Sequence, residues 1–282
     1  MKIFAAFMCA FALVFASCAS SPGASGTASG ADASGEKTGQ IPVEIKSMVL
    51  FADGALDEYT ESEYDESLSN LQSQKRFSAS GTLLEQVEYI YSEDKNRMVK
   101  KTTKNAENQQ KNQVEYQYNE QDLLDSETLL NKDSKPVSSY EYSYDTKGNK
   151  INRIFKNNAG IKMAETKYSY DNKGNISSTE TLSGAGQKIN STQSQYNNAG
   201  LLTNQKIFNA GGQLTASITV TWQGNNELKN EQLGPDGSIQ IRITNEYGPD
   251  GELLKKTIED LRGNTTQILA FEYTFKPANE IQ

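Results

Sequence analysis

A large aromatic residue returns about every 26 residues from the middle of the chain to its end. The anchors are Tyr91, Tyr118, Tyr144, Tyr170, Tyr196, Trp222, Tyr247 and Tyr273, at spacings of 27, 26, 26, 26, 26, 25 and 26. A fixed period of this size marks a repeat architecture and constrains the fold before any local reading does. Glycine stands four residues after the anchor at Gly148, Gly174, Gly200 and Gly251, and Asn226 takes that place in one copy. Asp-x-x-Gly suits a type I turn whose last residue is left-handed, the three-residue hairpin loop with a bulge. A second turn lies about sixteen residues past each anchor, at Gly160, Gly186, Gly212, Gly237 and Gly263. Each repeat therefore reads strand, turn, strand, turn. Earlier copies, from Tyr64 to Tyr118, replace most glycines with polar turns at Ser92–Asn96 and Asn105–Gln110.

Breakers this frequent leave about nine residues per strand and no room for helices. The strand test is alternation. Leu214, Ala216, Ile218, Val220 and Trp222 alternate with polar residues, as do Ile239, Ile241, Ile243 and Tyr247. A second aromatic precedes the anchor by two residues at Tyr89, Tyr116, Tyr142, Tyr168 and Phe271, so the anchors share the more apolar face. From about residue 43 to 275 the pattern predicts roughly 18 strands in one antiparallel meander. Laid flat they would make a ribbon of about 85 Å, which must curl. A round barrel of this strand count encloses a lumen that the tyrosines could not fill. The expected fold is all-β: a curled or flattened single sheet whose aromatic ladder packs on itself.

The N-terminus has Lys2, then a short apolar core from Ile3 to Phe15, then Phe15-Ala16-Ser17-Cys18. The core is too short to span a bilayer as a stable helix. Small residues before a cysteine after such a core resemble the lipobox of bacterial lipoproteins. Phe15 in place of the usual leucine resembles the looser lipoboxes of spirochaetes. The resemblance implies a signal peptide over 1–17 and lipidation of Cys18. Cys9 would leave with the leader, so no disulfide is expected. Residues 18–40 carry the cysteine and a flexible tether of mostly Ala, Ser, Gly and Thr. The repeat domain is 41–282. Envelope anchoring of this kind points to the outer membrane, at its surface or its periplasmic side.

Charge excludes some partners. Removal of Met1–Ser17 takes away only Lys2 and leaves 27 basic against 36 acidic residues. Nucleic acid is not an expected partner. Residues 41–66 hold eight acids against Lys46, and 95–111 hold six bases against Glu107; both read as solvated faces. The chain has no histidine, which removes Ser-His-Asp and Cys-His catalysis and histidine metal sites. Carboxylate pairs such as Asp57/Glu58 or Glu61/Glu63 are not placed across a cleft by anything in the sequence. Lys173 inside the turn at Asp171-Asn172-Lys173-Gly174-Asn175 argues against a calcium loop. No enzyme activity, cofactor or metal is expected.

Tyr144-Asp145-Thr146-Lys147-Gly148-Asn149 and Tyr170-Asp171-Asn172-Lys173-Gly174-Asn175 resemble the YD repeats of Rhs-type and teneurin-type proteins. The weaker copies begin Tyr118-Asn119, Tyr196-Asn197, Trp222-Gln223 and Tyr247-Gly248. The resemblance implies long β-hairpin sheets. The family's shell-with-cargo arrangement is not expected here, because the chain as given stops soon after the last repeat. Two functional classes follow. One is a lipid-anchored protein that binds a glycan or protein ligand, with the anchors as ligand surface or as core. The other is a periplasm-facing structural or assembly lipoprotein.

Overall fold

The structure, a computed structural model, describes residues 40–94 and 97–277. The expected signal peptide, lipidated Cys18 and tether therefore lie outside the described residues, apart from Gln40. The described residues form eighteen strands and no helix. The first nine are β1 (Gln40–Phe51), β2 (Leu56–Tyr64), β3 (Leu71–Ser78), β4 (Leu83–Tyr91), β5 (Met98–Asn105), β6 (Gln110–Tyr118), β7 (Leu124–Asn131), β8 (Pro136–Tyr144) and β9 (Lys150–Asn157). The second nine are β10 (Lys162–Tyr170), β11 (Ile176–Ser183), β12 (Lys188–Tyr196), β13 (Leu202–Asn209), β14 (Leu214–Gln223), β15 (Asn226–Leu233), β16 (Ile239–Tyr247), β17 (Leu253–Asp260) and β18 (Thr265–Pro277). Each strand pairs antiparallel with its sequence neighbours, as the meander predicts.

The sheet then closes. β1 pairs antiparallel with β18 from Gln40↔Pro277 to Phe51↔Gln267, so the eighteen strands form a β-barrel rather than an open curled sheet. Closure removes the two unpaired edges that an open sheet would expose. The closing strands are also the longest, with 12 and 13 residues, so the seam has the longest ladder. A ring of this size closes even though its tyrosines do not fill the interior. Among the described residues no side chain is fully buried, so the barrel closes without a dry, filled interior.

Every hairpin from β1/β2 to β16/β17 has a bulge near the start of its second strand. In β9 the extra residue is Ile151, because Ser143 faces Asn152 while Tyr144 faces Lys150. Bulges bend a strand and raise its twist, which a ring of short strands needs. The rows of paired side chains also step by two residues per repeat. Tyr89 faces Lys101, and Lys101 faces Val114, two residues before Tyr116. This regular stagger is the shear that tilts the strands of a closed barrel.

On β14 and β16 the anchor face is the sheltered one, whereas Thr102, Gln113 and Leu130, in register across β5 to β7, are buried on the opposite face. In β14, Ala216, Ile218 and Val220 are buried while Thr215 and Thr221 are exposed. In β16, Ile241, Ile243 and Asn245 are buried while Thr244 and Glu246 are exposed. Crowding on the concave side of a closed sheet accounts for this, so the anchors face inward. The buried apolar residues are concentrated on these two strands, with Val43 and Leu130 elsewhere. Around the rest of the ring the inner wall is mainly Ser, Thr, Gln and Tyr. The outer face of β14 and β16 is polar, which suits water rather than hydrocarbon.

The turns follow the Asp-x-x-Gly reading. Asp145 and Gly148 close one loop through Gly148 N–H to the Asp145 carbonyl at 3.0 Å, and Gly174 repeats it at a φ of +86°. Where glycine is missing, Leu68, Asn108, Asp122 and Ser134 take the left-handed position. Two assignments change. Asn226 is the first residue of β15, and the left-handed residue before it is Gly224, in a two-residue loop. In the last turn Asn264, not Gly263, is left-handed. Both turns are built on different loop lengths, which a fixed offset from the anchor cannot see.

Replacing Gly174 by valine should cost about 1–2 kcal/mol, since a Cβ there meets no atom within 4 Å and only the left-handed backbone objects. Thermal melting of Gly174→Val reads this, and an unchanged midpoint would refute the turn assignment.

Candidate functional site

The anchors share one geometry. The hydroxyl of Tyr118 donates to the carbonyl of Met98 at 2.9 Å, Tyr144 to Leu124 at 2.7 Å, and Tyr170 to Lys150 at 2.7 Å. Tyr196 reaches Ile176 at 2.9 Å, Tyr247 reaches Glu227 at 2.9 Å and Tyr273 reaches Leu253 at 2.8 Å. Trp222 makes the same contact with its indole N–H, to Leu202 at 2.7 Å. Tyr91 is hydrogen-bonded to the backbone of Leu71. In each case the partner lies twenty residues upstream.

The ladder explains why these carbonyls need a partner. Pairing between β9 and β10 ends at Asn152↔Lys167, two residues short of Lys150. Pairing between β11 and β12 ends at Ser178↔Gln193, two short of Ile176. Successive hairpins splay apart at this end of the barrel, and the anchor's polar atom takes the carbonyl that the ladder leaves open. All eight anchors are half-buried. The stagger sets each against the neighbouring strand's end. Burial raises the phenols of Tyr118 and Tyr144, and that of Tyr273 to about 12.

The second aromatic row lies deeper on the same wall. The Tyr89 hydroxyl donates to Gln74 at 2.7 Å, and the Tyr142 hydroxyl donates to the Glu127 carboxylate. Burial, with the Glu127 charge behind it, pushes the Tyr116 phenol up to about 12. Cations cover several rings: Lys101 Nζ lies 5.8 Å from the Tyr89 centroid, Lys150 Nζ 4.3 Å from Tyr142 and the Arg153 guanidinium 5.2 Å from Tyr140. Tyr140 also packs against Phe155 at 5.1 Å. Sequence reading missed Lys101, Glu127 and Arg153. The bulges at Val99, Asp125 and Ile151 shift the alternation just before each of them, so parity counted along the odd strands is ambiguous.

The carboxylates singled out in the sequence are dispersed. Asp57, Glu61 and Glu63 are exposed, and Glu58 is paired with Arg76 at 2.7 Å. Asp171 spends its oxygens on its own turn, accepting from the N–H groups of Lys173 and Asn175 and from the Asn175 amide, which holds its carboxyl low. Among the described residues no group of three or more carboxylates or thiols is placed to hold a metal ion. A polar cavity of about 450 Å³ sits at the splay between the β10/β11 and β12/β13 hairpins, lined by Asn172, Asn175, Ser194 and Asn197 among others. On the outer face Glu231 joins Lys229 at 3.2 Å and Arg242 at 2.9 Å.

No protein-family model and no curated protein matches the chain. Among solved structures, the crystal structure of TcdB2-TccC3-Cdc42 is similar over 82% of this chain and 16% of its own, at 15% identity and a TM-score of 0.35. A porin-like protein from Bacteroides uniformis is similar over 82% of this chain and 98% of its own, at 12% identity and a TM-score of 0.31. One from Bacteroides vulgatus covers the same shares at 10% identity and a TM-score of 0.35. This chain thus spans about a sixth of the TcdB2-TccC3-Cdc42 chain, and none of these likenesses carries a function over.

Removing one hydroxyl, as in Tyr170→Phe, should cost about 1 kcal/mol while leaving the ring in place. Trp222→Ala should cost more, roughly 3–5 kcal/mol, through lost packing as well. Chemical denaturation checks both, and a Tyr170→Phe stability equal to wild type would remove the latch.

A pH effect follows from Glu44. Burial raises its carboxyl above the usual 4.5. A raised acid favours folding below its unfolded pKa, and that contribution is lost as pH rises through the folded value. Charged Glu44 therefore opposes folding at neutral pH. Glu44→Gln is expected to melt higher than wild type at pH 7, with the gain gone in acid; no gain at pH 7 would contradict the burial.

Proposed function

We propose that this protein is a lipid-anchored lipoprotein of the bacterial outer membrane whose closed sheet binds a glycan or protein ligand. The observation that carries the reading is the sparsely buried wall of the barrel. No described side chain is fully buried, and the inner wall presents tyrosines beside hydrogen-bonding and charged groups. Barrel mouths and walls of this kind are common ligand sites. The Phe15-Ala16-Ser17-Cys18 pattern supports anchoring, with Cys18 as the lipidated residue. We read the role as binding rather than catalysis, with no cofactor, and the acidic balance speaks against nucleic acid. The repeats are best read as YD-like hairpins, in which Asp145 and Asp171 fix their loops through the same three hydrogen bonds.

A second reading is a periplasm-facing structural or assembly lipoprotein. What favours it is the spending of the anchors' polar atoms on the frame itself. Protease treatment of intact cells separates the two. Rapid cleavage of the barrel with the outer membrane shown unbroken is the expected result. Full protection would overturn surface binding and favour the assembly role.

A further inference from the structure

The row of side chains that runs across β8 to β12 on the inner wall has a composition that the frame does not need. Tyr142, Arg153, Thr166, Thr181 and Asn190 stand side by side in register. At about 4.8 Å per strand the row spans roughly 19 Å. It offers, in order, an aromatic ring, a guanidinium, two hydroxyls and a carboxamide.

Arg153 is the informative member. It is half-buried and held over the Tyr140 ring at 5.2 Å, yet among the described residues it has no ion-pair partner. Glu127, which faces Tyr140 across the ladder, accepts the Tyr142 hydroxyl. Most of the outer-face cations on neighbouring strands are paired: Lys156 with Glu141, Lys162 with Glu165 and Lys188 with Glu180. A guanidinium stacked on an aromatic ring and left without a counter-ion is preorganised for bidentate capture of a carboxylate. Lys150, 4.3 Å from the Tyr142 centroid, adds positive potential at the head of the row. Thr181 and Asn190 supply both donors and acceptors, and the buried Thr166, whose hydroxyl lies 3.4 Å from that of Thr181, backs them. A peptide would leave such a run of hydroxyls underused, whereas a polyol matches it.

We propose that this row binds a uronic-acid oligosaccharide, with Arg153 on the sugar carboxylate, Thr181 and Asn190 on the hydroxyls and Tyr142 against a sugar face, while the buried Thr166 backs Thr181. This rests on the reading of the protein as a glycan-binding lipoprotein and names its ligand class and site. The test is calorimetric titration of the full chain in mild detergent with a galacturonate trisaccharide and with its carboxyl-reduced neutral counterpart. Saturable binding of the acidic sugar is expected, with affinity lost on the order of tenfold or more in Arg153→Gln, as for a charge-assisted pair. Arg153→Lys should fall between, since it keeps the charge and loses the fork. Lys206→Gln, on the exposed outer face, should bind like wild type.

Equal affinity for the neutral sugar, unchanged affinity in Arg153→Gln, or no binding at all would overturn the proposal. The two readings fail separately. A barrel cleaved on intact cells that ignores the uronate loses this site and keeps its surface role. A protected barrel that binds the uronate keeps the site and loses the surface.

Discussion

Where two antiparallel hairpins diverge, backbone carbonyls near the split lose their ladder partners, and each must be met by something else. In this barrel that need recurs once per repeat, at Leu71, Met98, Leu124, Lys150, Ile176, Leu202, Glu227 and Leu253. The answer is each time an aromatic residue with a donor at its far end. Tyrosine is suited because its ring spans the gap to the neighbouring strand and its hydroxyl completes the bond. Trp222 shows that the donor matters more than the phenol, since an indole N–H serves equally well at 2.7 Å. The 26-residue period is therefore the spacing of a structural repair.

The same divergence shapes the ring. Bulges at the start of almost every strand twist the hairpins, and the two-residue step per repeat tilts them. These devices let eighteen short strands meet their own beginning, where the long β1 and β18 close the seam. Hydrogen bonding is continuous around the frame, whereas buried apolar residues are few. Only β14 and β16 bury a continuous aliphatic set, so burial of apolar surface is concentrated on one arc of the wall. The remainder of the wall is left free to be polar.

The period, the strand number, the antiparallel order and the Asp-x-x-Gly turns were legible in the sequence because each rests on local chemistry repeated many times. Closure was not, because it depends on the last strand reaching the first, and no local pattern records that. The premise that tyrosines must fill the space they face also led away from a ring. Their hydroxyls had a use that alternation cannot reveal, a carbonyl twenty residues upstream. Arg153 and Glu127 escaped notice for a simpler reason. Each follows a bulge residue, Ile151 or Asp125, so the two-residue rhythm that assigns faces slips by one just before them. Asn226 and Gly263 failed for the same kind of reason, a change in loop length that moves the left-handed residue.

This division of labour bears on where recognition can sit. The anchor tyrosines were the natural candidates for a binding surface, yet their polar atoms are committed to the backbone. Losing them to a ligand would reopen the hairpin splay. The second aromatic row is less constrained. Its rings stand away from the strand ends, and its charged neighbours, Lys101 and Arg153, lie over aromatic faces rather than against carboxylates. A repeat fold that assigns one aromatic per unit to the frame leaves the aromatic two residues earlier open to variation. It is tyrosine in four successive units, then serine, valine and asparagine at Ser194, Val220 and Asn245, and aromatic again at Phe271. That variation makes the wall chemically different around its circumference, which a purely structural ring would not require.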